Sequence, residues 1–486
     1  MLKILGFEKP AKVHIIWLIA FFALLIRLLL MNYAEETDSD AVSRAFISWN
    51  WATDPYLFKT SVWAPFHYYL VGSGFLVWKD ILLLPKVLHI LFSVVMLFPF
   101  YYFTKREFNK PGAIYATIFL AFSPLIFRLG FQCLAEIPGL FFTVLAMNLL
   151  SKGVREENNV WLALSGISMT LAAGFRYEAW LMILLFTLVL IIARRWKGSW
   201  LFFLFAMIFP AVWMVQNYLS TGDPLFSFSA NTDWTHKALG INDQVDFEAY
   251  LRRIWFFPFS LLIAVGPIVS WLIVKYLTSY AKNFRFRSFP DLWLIPLLAF
   301  FVVMLYNAIA GNLLLHHRFT GTLVILALPW VASVLKDFEK KAIIISVISV
   351  VLTIGLSFAY TIGGSNPIPR LKNQSVKQLV TEIKPVTTPG SKLVIDFIGW
   401  EDTWYTGLHS GAEPSDILML GGEAYPPFSA ERVEQLMHSP GRKILVVKEG
   451  SSLQQYLAEN QILISSYKEL FRQEEISVYI SSIDQD

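Results

Sequence analysis

Cysteine is almost missing from this chain. Cys133 stands alone in an apolar stretch, which rules out a disulfide framework within one chain and reads as a small buried hydrophobe. Charge is scarce as well. Asp, Glu, Lys and Arg make up 16% of the 486 residues, well below the quarter that is usual in soluble proteins. The formal net charge of +4 sits in loops between apolar runs and builds no basic face, so no nucleic-acid partner is expected. A small-residue cleavage site is lacking after the basic Lys3, Lys9 and Lys12, so the first apolar run is expected to stay as a helix and not to leave as a signal peptide. The last part of the chain shows neither a phosphate-binding glycine loop nor metal-ligand spacing.

Apolar residues are abundant instead, at 56%, with many Phe and Trp as expected of a lipid-facing surface and its aromatic belts. Stretches long enough to cross a bilayer recur near 13–33, 82–103, 111–129, 132–150, 159–175, 177–193, 199–219, 254–277, 291–311, 319–335 and 342–362. That predicts a polytopic α-helical membrane protein with about eleven transmembrane helices. With a cytoplasmic N-terminus, the inner turns contain Lys105/Arg106/Lys110, Lys152/Arg155, Arg194/Arg195/Lys197, Lys282/Arg285/Arg287 and Lys336/Lys340/Lys341. Every inner turn is then basic, as the positive-inside rule requires. The 34–81 loop, the Arg176-Tyr177-Glu178 turn, the 220–253 loop and the His316-His317-Arg318 turn fall on the opposite, outer face. An odd number of spans also puts residues 363–486 outside, so the expected location is the plasma membrane, multi-pass.

A Gly363-Gly364-Ser365-Asn366-Pro367 breaker closes the hydrophobic part, giving a membrane domain at 1–362 and an extracytoplasmic soluble α/β domain at 363–486. Lys392–Phe397 and Lys443–Val447 read as buried strands, 373–385, 429–438 and 451–459 as amphipathic helices, and 465–482 as a closing hairpin. Gly399-Trp400-Glu401-Asp402-Thr403-Trp404-Tyr405 reads either as a sugar-suited segment or as an ordinary loop packed on the membrane domain. Asn373-Gln374-Ser375 matches a glycosylation sequon, a pattern short enough to occur by chance.

The outer face concentrates the chemistry. Asp38 and Asp40 follow the first span in an acidic loop starting at Glu35, where a carboxylate can act as a general base on a hydroxyl. The competing reading is a helix cap, with Ser39 or Asp40 starting a helix over 41–51. Arg128 and Glu136 lie in a short outer turn at membrane depth, where charges are costly and tend to line polar cavities. Arg176 with Glu178, and His317 with Arg318, add outer cations. An arginine fork suits phosphate, although arginines at helix ends also serve as snorkelling anchors. Adjacent histidines on a helix diverge by about 100°, so a metal site is the weaker reading of the His316-His317 pair. Trp63–Gly72 is too short to span and reads as an interfacial or re-entrant helix that lays His67 along a cavity edge.

Together Asp38-Ser39-Asp40-Ala41-Val42-Ser43-Arg44, Trp63–Gly72, Ser123-Pro124 ahead of Arg128 and Glu136, and Phe175-Arg176-Tyr177-Glu178-Ala179-Trp180 resemble the GT-C superfamily of polytopic glycosyltransferases, nearest to the protein O-mannosyltransferase and aminoarabinose transferase branch (glycosyltransferase family 39). The resemblance implies a GT-C fold and a polyprenyl-phosphate sugar donor. It also implies transfer on the non-cytoplasmic face to an acceptor lipid, glycan or protein. It makes a first-loop acid the base, Asp40 preferred with Asp38 as fallback, and maps the family's second outer acid to Glu136. Ser39 separates the two aspartates, a departure from the family's common adjacent pair. Arg176, Arg318 and Arg128 would steady the departing lipid phosphate, and no cofactor is required, a divalent metal being possible but not indicated. Two other classes compete. A transporter or flippase predicts charges near mid-membrane, for which Arg27 and Lys86 are candidates, and an inverted repeat, of which none is evident. A sensor or assembly factor would need only one anchoring helix.

Overall fold

The computed structural model describes residues 14–34, 38–239, 247–282, 289–336, 374–420, 428–460 and 467–481, with positions 344, 347–349, 351–352 and 355. The predicted last span at 342–362 lies largely outside these residues. The breaker at 363–367, the sequon asparagine and Glu35 and Glu36 lie wholly outside them.

In chain order the first eighteen helices are α1 (His14–Leu30), α2 (Ser39–Thr53), α3 (Phe66–Phe75), α4 (Leu83–Val95), α5 (Leu97–Glu107), α6 (Lys110–Ala121), α7 (Pro124–Leu129), α8 (Glu136–Arg155), α9 (Asn159–Phe175), α10 (Glu178–Ile192), α11 (Trp196–Ala206), α12 (Ile208–Thr221), α13 (Phe226–Leu239), α14 (Phe247–Val265), α15 (Pro267–Lys282), α16 (Leu294–Ile309), α17 (Gly321–Ala327) and α18 (Val331–Lys336). Among the described residues Leu83–Glu107, Glu136–Arg155 and Phe289–Ile309 are each long and apolar enough to cross a membrane, and two bent helix pairs bring the number to five. Several predicted spans are assembled from pieces. The stretch 111–129 is α6 and α7, parted where Pro124 starts a new helix. The stretch 254–277 breaks at Gly266 and Pro267, and 199–219 bends by 40° between α11 and α12. The stretch 319–335 is interrupted by a 3-10 turn at Leu328–Trp330. Each break frees backbone groups that neighbours must satisfy. Ser123 at the α6–α7 break, for example, donates to the Ala264 carbonyl at 2.6 Å.

The chain divides into two compact units. The first comprises residues 1–34, 56–70 and 85–367 and is helical. Its helices approach closely through small and hydroxyl residues, as membrane bundles do. Ser165 and Ser168 of α9 donate to the Ala146 and Phe142 carbonyls of α8 at 2.8 and 2.7 Å. α8 has 20 residues and so is about 30 Å long, the thickness of a hydrocarbon core. At its far end the basic turns gather. Arg155 pairs with the buried Glu107 at 2.8 Å, Arg195 pairs with Glu157, and Arg106 donates to the Asn148 carbonyl at 2.8 Å. The near end starts at Glu136.

The second unit comprises residues 35–55, 71–84 and 368–486. Its sheet has the order β2-β1-β3-β5-β4, with β1 (Lys392–Ile395) parallel to β2 (Ile417–Met419) and to β3 (Lys443–Lys448). β5 (Ile476–Ser481) runs antiparallel to β3 and to β4 (Tyr467–Gln473). Alternation along the strands gives each face its own core. Val394, Leu445 and Val447 meet the helices Ala430–His438 and Ser452–Glu459 through Val433, Leu453 and Leu457. Leu393, Ile395, Ile444 and Val446 meet Leu379 and Ile383 of the helix Gln374–Ile383, Leu408 of Trp400–His409, and Val42 and Phe46 of α2.

The expected boundary at 363 lies outside the described residues. Besides the C-terminal residues, the second unit takes in 35–55 and 71–84 of the outer loop, because α2 supplies apolar residues that finish the sheet's core. The segment 399–405 does not form a loop. Most of it is the first part of a helix whose Trp404 and Leu408 belong to the core of the second unit.

Candidate functional site

Glu136 opens α8, where the exposed N–H groups and the helix dipole favour a carboxylate. Arg176 caps α9 in an extended conformation (φ −143°, ψ 136°), which turns its side chain off the helix and across the start of α8. Gly139 makes room for it, since a Cβ there would stand 3.0 Å from Arg176 Cγ. Glu178 starts α10 two residues on. Arg318 comes from the 3-10 turn His317–Thr320 that leads into α17.

These four residues share one narrow cleft, lined also by Thr143, Met182, Phe319 and Thr322. Arg176 Nη1 donates to Glu136 Oε1 at 3.0 Å, and its Nε donates to Glu178 Oε2 at 3.0 Å while Nη2 donates to Glu178 Oε1. Arg318 Nε stands 3.4 Å from the same Glu136 oxygen. Both guanidinium groups lie over the Phe319 ring, at 5.3 and 5.5 Å from its centre. Burial alone would lower the pKa of Arg176. The Glu136 and Glu178 carboxylates outweigh that and raise it, so the guanidinium stays charged. The four charges cancel. The cleft therefore offers arginine donors already oriented by carboxylates, a pattern that can exchange one anion for another.

The other predicted residues are placed differently. Asp38 is the N-cap of α2, its Oδ1 accepting from the N–H groups of Asp40 and Ala41 at 3.0 and 3.3 Å, and it is buried. The capping role thus falls to Asp38, not to Ser39 or Asp40. Asp40 sits in the first turn, partly exposed. Both belong to the second unit. Arg128 is buried at the end of α7 and is not among the residues lining the cleft. His317 turns away from it, its Nδ1 2.7 Å from Ser260 Oγ and its ring against Phe256, with burial lowering its pKa. His67 lies on α3, within the predicted 63–72 segment. It is fully buried, with Nε2 3.2 Å from Nε2 of His89. His89 Nδ1 also lies 2.6 Å from the Pro85 carbonyl. His89 went unnoticed in the sequence although an ionisable residue inside an apolar run is itself a signal. Phe319, Thr143 and Thr322 carried no such signal. The two transporter candidates bond to backbone carbonyls. Arg27 donates to the Ala121 carbonyl that ends α6 at 2.7 Å and lies over Phe127, and Lys86 donates to the Ala34 carbonyl at 2.7 Å.

Comparison with known proteins addresses the resemblance. Residues 62–216 match the family model described as dolichyl-phosphate-mannose-protein mannosyltransferase. The crystal structure of ArnT from Cupriavidus metallidurans bound to undecaprenyl phosphate superposes with a TM-score of 0.68 at 12% identity, over 97% of this chain and 98% of that one. The chain has an ArnT-like GT-C fold. The oligosaccharyltransferase of Archaeoglobus fulgidus shares this GT-C fold more distantly. Its complex with zinc and sulfate gives a TM-score of 0.55 at 13% identity over 87% of this chain and 67% of that one. The same organism's AglB, in complex with an inhibitory peptide and a dolichol-phosphate, gives 0.54 at 13% over 90% and 70%. Curated protein sequences yield no match. The predicted resemblance to the GT-C glycosyltransferases is borne out in the fold and in the family model that matches.

Proposed function

We propose that this protein transfers a sugar from a polyprenyl-phosphate donor to an acceptor hydroxyl or amine at the outer membrane surface. The observation that carries the reading is the charge-paired cleft of Arg176, Arg318, Glu136 and Glu178 within a GT-C fold. ArnT of that fold was crystallised with undecaprenyl phosphate, and AglB with a dolichol-phosphate. The basic turns at the far end of α8 support an outer location for the cleft, because they belong on the cytoplasmic side.

In this mechanism the donor phosphate docks against Arg318 and the outward N–H groups of Arg176. Asp40 takes the proton of the acceptor. The acceptor atom bonds to the anomeric carbon as the bond from that carbon to the phosphate oxygen breaks, with inversion. Polyprenyl phosphate leaves with an additional negative charge, which the arginines meet. Asp40 is favoured over Asp38 because the cap occupies an oxygen of Asp38 and holds it buried. With arginines supplying the positive charge, the chemistry asks for no metal. Glu136 acts by orienting both arginines.

The test is transfer from radiolabelled polyprenyl-phosphate hexoses by purified protein in detergent, wild type beside Asp40→Asn. Label that moves to acceptor or water only in the wild type supports the reading. Donor binding without turnover in either protein, in the presence of a panel of lipid, glycan and peptide acceptors, would favour the transporter class.

A further inference from the structure

The outer loop's acid-bearing helix is built into the C-terminal domain. Val42 and Phe46, one turn apart on α2, sit in one core with Leu393, Ile395, Ile444 and Val446 of the sheet. The Phe46 ring lies 5.6 Å from that of Trp404 on the helix Trp400–His409. A second clasp comes from the end of α3 within the same unit. Trp49 packs edge-on against Phe75 at 5.2 Å, and Trp51 covers Gly72, where a Cβ would stand 2.9 Å from the Ser48 carbonyl oxygen. A helix turns about 100° per residue, so Asp40 lies roughly 140° around α2 from the Val42–Phe46 face. Fixing that face on the sheet fixes the roll of the helix. The roll in turn sets where the Asp40 carboxylate points.

We propose that the C-terminal α/β domain is the positioning device for the first-loop acid, with Phe46 and Trp404 as the contact that sets the roll of α2. This assigns the domain a role in turnover and not in lipid anchoring or in donor binding. It rests on the reading of Asp40 as the base. General-base catalysis depends steeply on geometry, and a misplacement of about 1 Å can cost about 100-fold. Truncating Trp404 should therefore lower kcat by about 10- to 100-fold while the donor KM stays within about twofold, since the donor's phosphate is held by residues of the other unit.

The experiment compares full-length wild type, Trp404→Ala, Phe46→Ala and the conservative Trp404→Phe, with Asp40→Asn alongside. Hydrogen exchange of the α2 amides (residues 41–53) is measured beside kcat and KM for a polyprenyl-phosphate hexose. The expected result is faster exchange in α2, reduced kcat and retained KM in both alanine variants, with Trp404→Phe restoring most of both. Unchanged exchange in α2 overturns the proposal, because the contact then does not hold the helix. Faster exchange with unchanged kcat also overturns it, because the roll then does not matter to turnover. An active Asp40→Asn beside an impaired Trp404→Ala would discard Asp40 as the base and leave the domain positioning another group of α2. Should Trp404→Ala not fold, Trp404→Leu, which keeps most of the apolar bulk without the ring, is read in the same way.

Discussion

Buried carboxylates are held in two ways in this molecule. In the helical unit Glu136 is faced by two arginine side chains, at 3.0 and 3.4 Å. In the other unit Asp396 accepts from the backbone N–H groups of Phe397 and Lys448 at 2.9 and 3.1 Å, and Asp38 accepts from those of Asp40 and Ala41. Backbone donors come with the fold and cannot leave, so Asp396 locks the ends of β1 and β3 and Asp38 locks the start of α2. Side-chain donors can swing. The Glu136–Arg176–Glu178 group can therefore rearrange without unmaking any helix. One unit uses its acids as fixtures, the other as exchangeable partners.

The strongest challenge to that contrast is Asp40, the partly exposed first-loop acid. Asp40→Asn should lower kcat by about 10²- to 10⁴-fold, the range of general-base catalysis, with donor binding measured by equilibrium filtration unchanged. Asp38→Asn should do far less, because an amide oxygen still caps; retention of full activity by Asp40→Asn together with its loss in Asp38→Asn would exchange their roles. Next in size is Arg176→Met, which leaves two carboxylates without their main counter-charge. Breaking a buried pair costs about 3–5 kcal/mol, and the partial exposure of this one places it at the lower end. The thermal midpoint in detergent should fall clearly, and Arg176→Met combined with Glu136→Gln should recover part of it.

The residues that were legible in the sequence are those whose charge is costly at membrane depth. Glu136 and Arg128 stood out for that reason, and Arg176, Glu178 and Arg318 as charges on the outer turns; all but Arg128 converge on the cleft. Their pairing was not legible, because it depends on how α8, α9 and the turn before α17 meet over some 180 residues of sequence. His317 misled because neighbouring residues in a 3-10 turn point about 120° apart, so an Arg318 that faces the cleft sends His317 to Ser260. The bundle's apolar runs, β1, β3 and the hairpin of β4 and β5 were clear from hydropathy and alternation. β2 was not, having three residues, and the helix Trp400–His409 was masked by aromatics and acids that suit a binding loop equally well. The reach of α2 into a sheet some 350 residues away leaves no local mark at all.

Smaller effects sharpen the comparison. Arg318→Lys keeps the charge and loses the planar fork, so the donor KM should rise by about tenfold; an unchanged KM would remove Arg318 from the phosphate site. Asp402 tests the fixture side. Burial, and then the neighbouring Glu401, pushes its pKa from 3.8 up to about 6. Between those values the folded state binds the proton more tightly than the unfolded one, so this group's stabilising contribution is present below about 4 and is lost as pH rises to about 6. Asp402 is partly exposed, which reduces the effect to about 1 kcal/mol. Asp402→Asn should accordingly melt higher than wild type at pH 7.5 and level with it at pH 4. Smallest of all, EDTA should leave turnover unchanged if arginines alone meet the leaving phosphate, and a loss restored by a divalent cation would contradict that.

The three-part make-up of the second unit bears on the order of synthesis. Phe46 leaves the ribosome about 350 residues before Trp404, a delay of roughly 20–70 s at ordinary elongation rates. Throughout that interval α2 has no sheet to rest on. The nascent protein therefore carries its acidic loop in an unfinished setting until the last strands arrive. On the proposed reading of Asp40 as the base, a ribosome that stalls late would release a helical bundle whose acid has nothing to fix its direction.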